Sequence, residues 1–121
     1  MKATDQFLAG YMECALWSST DDHDQPMDSN YDFQDIAEIT REAMLEDCQD
    51  FELRNGALLD EYYEHYDASY AGHDFWLTRN GHGAGFWDRD LPGKLGDKLT
   101  EASKGFGEVN LYIGDDGEVY Q

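Results

Sequence analysis

An α+β domain is what the sequence predicts, with N-terminal helices packed on a small antiparallel sheet of two hairpins and a short helix between them. Three observations carry this. Apolar residues recur every three to four positions through residues 5–18 and 32–54; side chains alternate about turn-forming residues in 73–88 and 109–120; and 121 residues suffice for one hydrophobic core. The chain therefore reads as one domain, 1–121, in which residues 1–70 form an acidic helical part and residues 71–121 a hairpin-helix-hairpin part.

The first helix is predicted over 5–18, where Phe7, Leu8, Tyr11, Met12, Ala15 and Leu16 share a face and Thr4 is available as N-cap. The next segment, SSTDDHDQPMDSNYD, is rich in turn formers and reads as a loop. It is not a calcium loop: counted from Asp22 the fifth place is Pro26, and counted from Asp28 the sixth, where glycine is needed, is Phe33. A second helix is predicted from Asp32 to about Arg54. One side carries Phe33, Ile36, Ala37, Thr40, Ala43, Met44, Cys48 and Phe51, and the other Asp35, Glu38, Glu42, Glu46 and Asp50.

Asn55-Gly56 reads as a helix stop, after which Leu58, Leu59, Tyr62, Tyr63 and Tyr66 predict a third helix with Asp60, Glu64 and Asp67 outward. Its tyrosines are expected mostly in the core. The central hairpin is predicted over 73–79 and 84–88, joined through Asn80-Gly81-His82-Gly83. One of its faces carries His73, Phe75, Leu77, Phe86 and Asp88 and meets the core; the other carries Asp74, Trp76, Thr78, Trp87 and Arg89. The Trp76/Trp87 face is either covered by a helix or left as a recognition surface. A short helix follows on Leu95, Leu99, Ala102 and Phe106, and Val109, Leu111 and Ile113 turn through 114–117 into a last strand at 118–120.

Composition limits function. The chain holds 27 acidic and 8 basic residues, a net charge of −19; residues 1–70 hold 18 and 3, and residues 71–121 hold 9 and 5. Such a field repels nucleic acid and anionic membranes and attracts basic surfaces. No stretch has the apolar core of a signal peptide or the length of a membrane span, so an intracellular protein is expected, with Cys14 and Cys48 as buried thiols. No cofactor is indicated. His73, Asp74, His82 and Asp88 do not converge in a hairpin, so no metal is expected there, and neither a nucleophile motif nor a distinct carboxylate pair points to an enzyme.

The candidate functional residues are acidic. Asp35, Glu38, Glu42, Glu46 and Asp50 step by three or four residues, about 4.5–6 Å along a helix axis, comparable in scale to backbone phosphates. Asp28 and Asp32 extend the row before it, and Asp60, Glu64 and Asp67 repeat the spacing after it. Like charges at i,i+4 destabilise a helix, so the row is a liability that function could explain. Trp76 and Trp87 are the alternative partner-binding pair.

The stretch GHDFWLTRNGHGAGFWDR (72–89), with FLAGYMECALWSS (7–19) and GDDGEVY (114–120), resembles a family of small acidic proteins of tailed bacteriophages. The resemblance implies a host-defence antagonist acting in the cytoplasm of the infected bacterium. Its partner would be a host protein with a basic nucleic-acid-binding surface, such as a CRISPR effector or a restriction enzyme.

Overall fold

The computed structural model describes residues 2–121, with side chains from Asp5 onward. The α+β class holds in a strongly helical form. Five helices, α1 (Lys2–Ser18), α2 (Glu38–Arg54), α3 (Gly56–Tyr62), α4 (Ala68–Arg79) and α5 (Leu95–Lys104), accompany one two-stranded antiparallel sheet, β1 (Tyr112–Ile113) with β2 (Val119–Tyr120). Because α1 already runs from Lys2, Thr4 falls within the helix, and its side chain lies outside the described residues.

The central hairpin is corrected by the structure: residues 73–79 are the second half of α4. The Asp67 carboxylate caps this helix, accepting the Tyr70 N–H at 3.1 Å and the Ser69 hydroxyl at 2.7 Å. At the other end, Gly81 donates its N–H to the Thr78 carbonyl at 3.2 Å and His82 donates to Leu77 at 3.0 Å, with Gly81 at φ +69°. These paired bonds form a Schellman stop. Asn-Gly suits both a type I′ hairpin turn and a helix C-terminus, because each needs a residue tolerant of positive φ. The flanking pattern could not decide between them. Ala68, Ala71, Gly72 and every residue from Asp74 to Arg79 are buried, so α4 lacks the polar face that marks a surface helix. Beyond it, residues 86–88 are a 3-10 turn instead of a strand, and the Phe86 N–H donates to the Thr78 hydroxyl at 3.1 Å.

α4 is the central element, and α1 crosses it at glycines. A Cβ on Gly10 would fall on the Ser69 carbonyl, and one on Gly72 on the Phe7 carbonyl, so the two backbones approach as closely as they do only without side chains there. Around this crossing Phe51 stacks on Phe75 with centroids 4.2 Å apart, Phe7 leans on both, and Tyr11 meets Trp76 edge to face at 5.3 Å.

The second helix also starts later than its periodicity suggests. The Asp32 carboxylate accepts the Gln34 N–H at 2.9 Å while the Asp35 carboxylate accepts the Asp32 N–H at 2.9 Å, a capping box that closes a 3-10 turn at Phe33–Asp35. Short acidic side chains here compete with helical hydrogen bonding. The chain then runs extended through Ile36 and Ala37; Ile36 pairs in parallel with Val119, and the Ala37 N–H donates to the Val119 carbonyl at 3.0 Å. The sheet thereby anchors the start of α2. The loop after α1 is held by its own bridge between Thr20 and Pro26 and by buried Met27. The closing turn is as expected, Tyr112 opposite Tyr120 and Ile113 opposite Val119, although the ladder begins only at Tyr112 and not at Val109.

Candidate functional site

α2 presents its charge where the periodicity places it. Thr40, Met44, Cys48 and Phe51 are buried, while Glu38, Glu42 and Glu46 are exposed on the opposite side at successive i,i+4 steps of about 6 Å. Among the described residues, no ion pair or side-chain hydrogen bond engages these three carboxylates. Two aliphatic side chains share the outward side, Ile39 at 69 % and Leu53 at 84 % exposure. They stand about 21 Å apart along the axis, so each is a single exposed aliphatic on an otherwise acidic side and not part of one apolar patch.

Other members of the predicted row do different work. Asp50 is half-buried and accepts from Arg54 at 3.1 Å. Asp32 and Asp35 close the capping box, and Asp35 lies before α2 and not on it. Asp28 is exposed in a 3-10 turn at Met27–Ser29. The expected third helix ends at Tyr62, so only Asp60 of its acidic side belongs to α3; Glu64 sits in the following turn and Asp67 caps α4. The bonds from Ser69 and Tyr70 hold the Asp67 carboxyl below its ordinary value of 3.8. The row is thus three unengaged carboxylates on the body of α2, flanked by acids of which Asp32, Asp35, Asp50 and Asp67 are tied to the fold.

The Trp76/Trp87 pair is overturned. Trp76 is 2 % exposed in the core and donates its indole N–H to the Ser18 hydroxyl at 2.7 Å, whereas Trp87 is 50 % exposed. A helix in place of the strand removes the shared face. The four residues weighed for metal are dispersed as well: His73 is half-buried 3.7 Å from Glu13, Asp74 is buried, and His82 and Asp88 are exposed. Among the described residues no cluster of three or more His, Cys, Asp or Glu is placed to hold a metal ion. Cys14 and Cys48 are buried free thiols, and burial pushes the Cys14 thiol from 9.0 up to about 12.

Two arginine networks inside the fold were missed by pattern reading. Asp74, 1 % exposed, accepts two bonds from the Arg89 guanidinium at 2.9 and 3.1 Å and one from the Tyr62 hydroxyl at 2.7 Å. Burial, and then the Asp74 charge, drive the Tyr62 phenol well above its ordinary value. Arg79, 4 % exposed, reaches Asp47 at 2.8 Å, the Tyr11 hydroxyl at 2.9 Å and the carbonyls of Phe106 and Gly107 at 2.9 and 2.8 Å. An Asp and an Arg inside the apolar run HDFWLTR were the available signal, since such charges are buried only with partners. Residues 28–67 contain two arginines and no lysine; Arg54 is held by Asp50 and Arg41 is exposed without an ion pair, and Lys94, Lys98 and Lys104 lie at α5.

No helix among the described residues is long and apolar enough to cross a membrane. No protein-family model matches the chain, and neither a curated protein nor a solved structure matches it.

Proposed function

We propose that this chain is a phage-encoded, non-enzymatic inhibitor that acts in the cytoplasm of the infected bacterium. It places carboxylates in the basic nucleic-acid groove of a host-defence protein, a CRISPR effector or a restriction enzyme. The observation that carries this reading is the exposed row Glu38-Glu42-Glu46 on a helix whose other side is locked in the core. Such a row offers a basic groove charges at phosphate-like intervals, and the net charge of −19 steers it to positive surfaces. Asp28, Asp60 and Glu64 would extend the contact from the flanking segments.

The test is capture of partners from a bacterial lysate on the immobilised chain at low and high salt, with DNA as competitor. A nucleic-acid-processing protein retained at low salt, released by salt and displaced by DNA is expected, and Glu42→Lys with Glu46→Lys should abolish its capture. Capture indifferent to salt, to DNA and to the double reversal would sink charge mimicry.

A further inference from the structure

We propose that a groove beside α1 takes an arginine side chain from a basic protein segment; this rests on the inhibitor reading and names the partner side chain that is gripped. The groove, about 430 Å³, lies between α1, which contributes Glu13 and Leu16, and the two turns that precede α2, which contribute Asp28, Tyr31, Asp32 and Phe33. Leu16 is buried at 2 % exposure, Tyr31 is half-buried, Phe33 is 37 % exposed, and Glu13, Asp28 and Asp32 are exposed, one Asp32 carboxylate oxygen being taken by the Gln34 N–H. Among the described residues, His73 at 3.7 Å from Glu13 is the one basic side chain within ion-pair distance of these acids.

A lining of aromatic rings, a buried leucine and exposed carboxylates suits a long apolar stem ending in a cation. Arginine fits better than lysine. Its planar guanidinium stacks on a ring and offers paired donors to carboxylate oxygens, while its stem covers apolar surface. The fold already holds one of its own arginines by the same combination: Arg89 lies 4.9 Å from the Tyr66 ring centre and 5.2 Å from that of Tyr70, with two bonds to Asp74. Anionic ligands are opposed by the local carboxylates and by the net charge of the chain.

Fluorescence polarisation with a labelled Gly/Ser peptide carrying arginine, and with its lysine and citrulline counterparts, tests this on the full chain. The arginine peptide should bind tightest and the citrulline peptide not at all. Phe33→Ala and, separately, Asp28→Asn should each weaken the arginine peptide about tenfold and reduce its advantage over lysine. Both positions are exposed, and a matching thermal melt verifies the fold. Equal affinity for arginine and lysine, or affinity unmoved by both variants, would overturn the groove and leave only diffuse attraction. Glu42→Lys with Glu46→Lys separates the two readings. Arginine preference surviving this reversal supports the groove even if no salt-sensitive nucleic-acid-processing partner is captured, a result that would sink the inhibitor reading alone.

Discussion

Replacing Glu42 by lysine should make the protein more stable. In the native helix Glu42 faces Glu38 one turn before it and Glu46 one turn after, and all three are exposed. Each such like-charge pair costs a few tenths of a kcal/mol, and each opposite-charge pair returns a similar amount. Glu42→Lys converts both pairs, so four such increments accumulate to roughly 1 kcal/mol at low ionic strength, with glutamate and lysine nearly equal in helix propensity. For a chain of this length that raises Tm by about 3–5 °C. Differential scanning calorimetry in dilute buffer measures it, and added salt should shrink the gain. A Tm that falls in Glu42→Lys would refute the reasoning, because it would mean that the carboxylate has a stabilising partner within the fold. A rise coupled to lost partner capture would separate the row's function from folding: the helix tolerates a destabilising arrangement that only binding uses.

Gly72→Ala should destabilise the fold by about 1–3 kcal/mol or more in urea denaturation, because its Cβ meets the rigid Phe7 carbonyl, whereas Gly56→Ala at the start of α3, with open space around it, should be neutral or slightly stabilising; equal effects would refute the close α1–α4 crossing. Stability should also fall as pH rises. The unfolded chain releases the Cys14 proton near 9.0 and the Tyr62 proton near 10.0, while the folded state keeps both, with Cys14 held to about 12 and Tyr62 raised by burial and then by Asp74. Above about pH 9 the folded state therefore binds more protons, and its advantage, complete below that pH, declines through the alkaline range. The urea midpoint should drop between about pH 8 and about pH 10.5, and a flat midpoint would show that these groups are not buried.

The elements with one wet and one dry side were legible. α1, the body of α2, α5 and the closing turn all carry periodic apolar residues against polar ones, and their burial follows that pattern. α4 defeated the same logic because it is surrounded. A helix packed on nearly all sides reads as a continuous apolar run, and Asn80-Gly81 then supplied a turn signal that a helix end shares. Within the candidate site, Glu38, Glu42 and Glu46 could be placed from spacing alone. Asp32, Asp35 and Asp67 could not, because their carboxylates are engaged by backbone N–H groups only once the chain has turned, and a capping acid and a displayed acid are the same letter. The Phe33 groove joins α1 to the turns that follow it across an irregular loop, which no local period links.

Negative charge alone makes a poor substitute for a nucleic acid, because flexible carboxylates must be ordered before they can be matched, and that ordering opposes binding. Here the backbone fixes the intervals of the row, while the three exposed side chains keep their rotamer freedom. Phe51 fixes α2 through its stack on Phe75, Asp47 fixes it through Arg79, and Ala37 ties its first turn to Val119. Arg79 and Arg89 each pair with a carboxylate of the fold, Asp47 and Asp74, so neither is a counter-charge for Glu38, Glu42 and Glu46. Asp74 and Arg79 both sit on α4, the helix that also fixes α1 at the glycine crossing. Through Gly72, Phe75 and Arg79 one element thus holds both α1 and α2, and a substitution that loosens α4 should weaken the proposed partner binding even when every carboxylate of the row is intact.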